Sequence, residues 1–257
     1  MAGFVLCGEG PTDLFYDAEH QCQGPLKDSV DQLLLHFWDS ESHFHFKQVS
    51  RGELSVSVGK GKPEKKSAIV RGAKNKFPER RWIMVTAKCL AEKAMALTSQ
   101  ADNTDLSDWG VIYFHDLDKP SGSDIDSAYA DYIAAMHDGF DSVSFKYGVP
   151  MIPKTRSESW ILCVLNPEKC KENKYYENLP MSDKSPKTGK IVLAQEQKTS
   201  KRGSYKQIGR KHNQFDWISL ESPSFVFFKN RLHVVSAALL CKKFPDGKNF
   251  ENTKVPT

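Results

Sequence analysis

The sequence predicts an α/β fold: a largely parallel sheet flanked by helices. Short apolar or β-branched runs at residues 3–7, 44–49, 110–114 and 149–152 alternate with stretches of helical periodicity. The composition is that of a globular chain, with 39% hydrophobic and 26% charged side chains in 257 residues, enough to bury a sizeable core. No internal repeat is visible, and collagen-like, low-complexity and wholly disordered readings are excluded.

Each element has its own signal. The strand at 3–7 ends in Gly8-Glu9-Gly10-Pro11, after which Thr12 or Asp13 can cap a helix with Pro11 near its first turn. Val30, Leu33, Leu34 and Phe37 mark a helix over 30–38. In the strand at 44–49, Phe44 and Phe46 face the core while His43 and His45 occupy the other face. Residues 59–81 are lysine-rich with Gly and Pro and read as a loop or the basic start of a helix. A helix over 82–97 follows, with Met84, Cys89, Leu90 and Leu97 among its apolar positions.

The strand at 110–114 is the clearest and stops at His115-Asp116-Leu117-Asp118. A helix over 126–136, a strand over 149–152 and a helix over 157–165 come next, the last with Trp160, Ile161 and Val164 on one side. Residues 166–213 are polar and lysine-rich, a helix covers 225–240, and 245–257 form a loose end. The expected division is a domain over 1–165 and a basic, helical and looped extension over 166–257.

The apolar stretches are interrupted and short of the ~20 residues that span a bilayer. The N-terminus lacks the basic flank of a signal peptide, so a soluble, cytoplasmic protein is expected. Six cysteines at 7, 22, 89, 163, 170 and 241 form no C-x-x-C pair, which predicts reduced thiols and argues against zinc.

The net charge of +4 conceals a pattern. Residues 1–59 sum to −6, 60–96 to +8, 97–145 to −9 and 146–257 to +11. Acidic segments that fold together could hold cations, and basic ones a polyanion, although charge blocks are most often solvated faces. Glu9 follows the first strand, and Asp116 and Asp118 follow the strand at 110–114. Ligands bind beyond the carboxyl ends of parallel strands, so adjacent strands would bring these three carboxylates to one edge. Such a cluster is costly without a cation, and its oxygen-only donor set suits Mg²⁺ or Mn²⁺.

The run Phe4-Val5-Leu6-Cys7-Gly8-Glu9-Gly10-Pro11-Thr12-Asp13, with Ile112-Tyr113-Phe114-His115-Asp116-Leu117-Asp118 further on, resembles the TOPRIM domain. That domain carries a glutamate after its first strand and an Asp-x-Asp after a later one. The likeness is closer to small TOPRIM-like proteins of bacterial defence loci, related to the OLD-family nucleases. Pro153-Lys154-Thr155-Arg156-Ser157-Glu158-Ser159-Trp160 resembles a third segment of those proteins, and Ser185-Pro186-Lys187 and the helix from Ser224 look similar too. The wide spacing of the first two motifs implies a basic insertion at about 50–81.

The resemblance implies a metal-dependent endonuclease acting on DNA or RNA, tRNA included, with Glu9, Asp116 and Asp118 as metal ligands. Glu9 could instead be the general acid or base, Asp13 could support the site, and Glu158 could complete it or cap its own helix. Lys154 and Arg156 could meet a phosphate oxygen. His115 reads as a strand-end histidine packed against the sheet.

Lys60, Lys62, Lys65, Lys66, Arg71, Lys74 and Lys76 could track a phosphate backbone. So could Lys198, Lys201, Arg202, Lys206, Arg210 and Lys211, interleaved with Tyr205 and Phe215. Gly59-Lys60-Gly61-Lys62 is not a P-loop, so the chain has no visible ATPase of its own. The resemblance to OLD-family and related defence proteins implies a separate ABC- or AAA-type ATPase as partner, alongside a possible homodimer. The alternative is a catalytically silent TOPRIM-like module that binds nucleic acid or a partner. A phosphatase of haloacid-dehalogenase type ranks last, because Lys119-Pro120 follows the Asp-x-Asp and Glu9 would have no role.

Overall fold

A computed structural model describes residues 2–9, 14, 16–17, 22–38, 44–57, 80–100, 108–117, 124–171, 175–180, 185–198 and 215–241. Its centre is strand β1 (Ala2–Cys7), buried along its whole length. Short strands β2 (Tyr16–Asp17) and β3 (Cys22–Gln23) pair antiparallel with each other, apart from the main sheet. Then come α1 (Pro25–Trp38), β4 (Phe44–Gln48), α2 (Arg51–Ser57), α3 (Arg80–Gln100) and β5 (Asp108–Phe114). After α4 (Ile125–Asp141) and β6 (Gly148–Met151) come α5 (Ser157–Leu165), α6 (Pro167–Lys171) and a 3₁₀ turn (Tyr175–Asn178). Helices α7 (Gly189–Glu196) and α8 (Pro223–Cys241) complete the described chain.

The main sheet has four strands in the order β4-β1-β5-β6, all parallel, as the alternation of elements predicts. The chain leaves β1 toward β4 and then returns across it to β5, so the strand order reverses between β1 and β5. In open α/β sheets such a reversal is where the ligand-binding crevice lies, beyond the strand carboxyl ends. Alternate residues of the strands feed two cores. Phe4, Leu6, Ile112, Phe114, Val149 and Met151 pack toward α1, α5 and α8, whereas Val5, Cys7, Val111 and Tyr113 pack toward α3 and α4. On β4, Phe44 and Phe46 lie against Phe4 at ring-centroid distances of 5.6 and 6.5 Å, and His45 is exposed.

Helix α4 starts at Asp124, whose carboxylate accepts the Asp126 and Ser127 N–H groups, a standard solution for the unpaired first-turn amides. It lies tightly on α3: a Cβ at Gly139 would stand 2.3 Å from the Met84 carbonyl oxygen and 2.7 Å from the Ala87 Cβ. Arg80 binds the interface from α3 by pairing with both Asp131 and Asp138. Helix α8 is long and apolar enough to cross a membrane by length and composition, but 56% of that window is buried inside the protein. Its Arg231 is buried too, donating to the carbonyls of Gly148 (2.9 Å) and Lys146 (3.1 Å).

The expectation of reduced thiols is corrected at one place. Cys163 and Cys170 form a disulfide, with Cα atoms 5.0 Å apart. The chain breaks at Asn166-Pro167 between α5 and α6, and this reversal carries residue 170 back beside residue 163. Cys7, Cys89 and Cys241 are free thiols.

Gly139→Ala should destabilise the fold by about 1–3 kcal/mol, because overpacking against backbone outweighs the gain in helix propensity. Denaturant unfolding checks it. A second outcome concerns acid. Burial, with the Arg231 charge second, pushes His137 down to about 4, so the unfolded chain binds its proton first. Stability from this residue should therefore be present near neutrality and fall as pH drops from about 6.5 toward 4. His137→Gln should flatten the dependence of the unfolding midpoint on pH over that window.

Candidate functional site

The crevice is built from strand ends. Glu9 lies two residues beyond β1, His115 and Asp116 follow β5, and Arg51 opens α2 three residues beyond β4. The backbone holds them in register: the Val49 N–H donates to the Leu6 carbonyl at 2.9 Å, and the His115 N–H to the Met151 carbonyl at 3.1 Å. Cys7, the last residue of β1, lies beneath as a neutral thiol, pushed up to about 12 by burial.

Glu9 is surrounded by cationic and aromatic groups. Its Oε1 accepts from Arg51 Nη2 at 2.8 Å and is hydrogen-bonded to His115 Nδ1. Burial alone would raise the Glu9 pKa, but the bond to His115 and the charges of His115 and Arg51 hold it below the ordinary carboxylate value. His115 is buried and stacks on Tyr132, with ring centroids 5.5 Å apart, which fixes its plane. The Arg51 guanidinium lies over the Trp82 ring, 4.5 Å from its centroid. The His115 reading is thus half of the account: it packs against aromatic residues of the core and also contacts Glu9.

Asp116 does different work. Its Oδ1 accepts the Ser157 N–H at 2.8 Å, at the start of α5. The residue at that helix's N-cap is Arg156, which makes no side-chain cap bond, so Asp116 supplies the missing acceptor from another element. Glu158, in the same first turn, is 1% exposed, and its Oε2 has no hydrogen-bond partner among the described residues. Gly189, the first residue of α7, lies against it: a Cβ there would be 3.0 Å from the Glu158 Cβ.

Lys154 is buried and forms an ion pair with Asp126 at the start of α4, so its ammonium is already engaged. Arg156 is half-buried beside it in sequence. Asp118, Asp13, Lys60, Lys62, Lys65, Lys66, Arg71, Lys74, Lys76, Lys201, Arg202, Lys206, Arg210 and Lys211 lie outside the described residues. Among the described residues no three His, Cys, Asp or Glu side chains form a metal-sized group.

Sequence reasoning missed three participants. Arg51 and Trp82 fall in or just after the stretch read as a basic insertion, yet Arg51 follows a strand end, and that position is the signal that identifies it. Glu177 is the third. It accepts from the Ser222 and Ser224 hydroxyls and from the Ser224 N–H at 3.0 Å, while Trp160 Nε1 donates to Ser224 Oγ at 2.8 Å. This buried knot ties the start of α8 to α5.

Replacing Arg51 by Met should raise the Glu9 pKa, since it removes one hydrogen bond and one positive charge from the carboxylate. A side-chain carboxyl NMR titration of the variant reads the shift directly.

No protein-family model matches the chain, and neither the curated proteins nor the solved structures yield a match.

Proposed function

We propose that this chain is a TOPRIM-type, metal-dependent nuclease that hydrolyses phosphodiester bonds in nucleic acid. The observation that carries the reading is the placement of Glu9 and Asp116 at the ends of β1 and β5, adjacent parallel strands at the point where the strand order reverses. Both are hard oxygen donors of the kind Mg²⁺ or Mn²⁺ takes, and Glu9 keeps 23% of its side chain open to solvent. Asp118 would be the third ligand by its motif. A divalent ion bound there would activate water and stabilise charge on the scissile phosphate.

The chain's own residues contribute the rest. Tyr132 and Glu9 orient His115, whose ring lies within reach of a proton at the Glu9 carboxylate. Arg51 supplies a fixed positive charge at the same carboxylate, available to a phosphate oxygen. Asp116, docked on the first turn of α5, is held in one orientation. A separate ATPase chain that restrains or triggers the nuclease, as in the defence proteins the motifs resemble, belongs to the same proposal.

One observation favours a second reading, a silent module that binds nucleic acid without cutting it. Arg51 and His115 already engage the Glu9 carboxylate, as they would if no metal were ever bound. Cleavage assays separate the two. The purified chain should cut DNA or RNA with Mg²⁺ or Mn²⁺ and stop in EDTA, and Glu9→Ala and Asp116→Ala should abolish cutting while retaining the far-UV circular dichroism of the parent. Equal cutting by those variants would sink the nuclease assignment, and binding without turnover in the parent would leave the silent module.

A further inference from the structure

Among the described residues, Trp82 is one of three large apolar side chains that stand exposed, at 43%, and it is the one beside the crevice. Its ring carries the Arg51 guanidinium at 4.5 Å, and the His115 ring meets it at 67° with centroids 5.8 Å apart. The remaining indole surface is open to solvent. Trp82 stands apart from the core face of α3, which is made by Ile83, Thr86, Ala87, Leu90, Ala91 and Ala94.

Arg51 is only partly used. Its Nη2 meets Glu9 Oε1 at 2.8 Å and His115 Nδ1 at 3.4 Å, while its Nε is buried without a hydrogen-bond partner among the described residues. A guanidinium presents a planar fork that suits phosphate oxygens, and a buried donor left unpaired is unfavourable until an acceptor arrives. An aromatic platform beside such a fork is the pairing by which proteins hold one nucleotide, with the base stacked and the phosphate clamped.

We propose that Trp82 and Arg51 form a nucleotide clamp at the mouth of the crevice. Trp82 stacks an unpaired base, and Arg51 turns part of its fork from Glu9 to the adjoining phosphate. The proposal rests on the nucleic-acid reading of the site and sharpens it. A base inside a duplex is stacked on its neighbours and has no free face to offer, so the clamp selects single-stranded DNA or RNA, or unpaired loop nucleotides, over duplex. It also gives Glu9 and Arg51 separate roles, one toward the cation and one toward the substrate.

The test is equilibrium binding by the full chain in EDTA, where cleavage cannot interfere. Fluorescence anisotropy is read with a labelled single-stranded oligonucleotide and a duplex of the same length. The single strand should bind more tightly. Trp82→Ala should weaken single-strand binding by about 5- to 150-fold, the range expected for one base–aromatic stack, and Trp82→Phe should recover most of it. Arg51→Ala should also weaken binding and reduce the salt slope, d log K/d log [salt], by about 0.7 in magnitude, the value for one single-strand phosphate contact.

Unchanged affinity in a folded Trp82→Ala variant, equal affinity for duplex, or no binding by the parent chain would each overturn the clamp. Trp82-dependent binding in a chain that never cleaves with added metal would keep the clamp and reject the nuclease.

Discussion

The rest of the molecule depends on β1 being hydrogen-bonded along both edges. It pairs in parallel with β4 on one side and β5 on the other, and every residue from Ala2 to Cys7 is buried. A strand in that position must be apolar on both faces, because any charge within it would lose its hydration without recovering a partner. The first polar chemistry the chain can display is therefore where the strand stops, at Glu9. Parallel pairing then brings the ends of β4 and β5 to the same edge, and with them Arg51, His115 and Asp116.

Glu9, Asp116 and Lys154 survive partial burial because each is met by another group. Glu9 is compensated by Arg51 and His115, and Asp116 by the first-turn amide of α5. Lys154 meets Asp126 just below. Breaking one member of such a pair leaves the other buried and uncompensated, which costs far more than the pair contributes. Local stability and chemical function draw on the same side chains here, so activity and folding need separate readouts for any variant of the edge.

How much of this was legible follows from the physics of each element. The four strands of the main sheet showed themselves as short apolar or β-branched runs, and α5 over 157–165 by its apolar periodicity. Glu9 and Asp116 were legible in combination, because a glutamate after one strand and an Asp-x-Asp after another resemble a known motif pair, whereas either alone reads as an ordinary turn residue. Arg51 was hidden because it fell within the stretch read as a basic insertion, over about 50–81. The Cys163–Cys170 disulfide was hidden because a separation of seven says nothing of the reversal at Pro167. Asp116 as an acceptor for α5 joins positions 41 apart, a pairing that only the folded chain reveals.

Helix α8 has a consequence for the order in which the molecule is made. Its Phe225, Phe228, Leu232, Val235 and Leu239 cover the face of the sheet formed by Phe4, Leu6, Ile112 and Phe114, and Ser236 accepts the Trp38 indole N–H at 2.9 Å across 198 positions. During synthesis the strands emerge before the helix that seals them. Until residue 241 has left the ribosome the nascent sheet therefore presents an open aromatic and aliphatic surface, the kind of surface that invites chaperones or self-association.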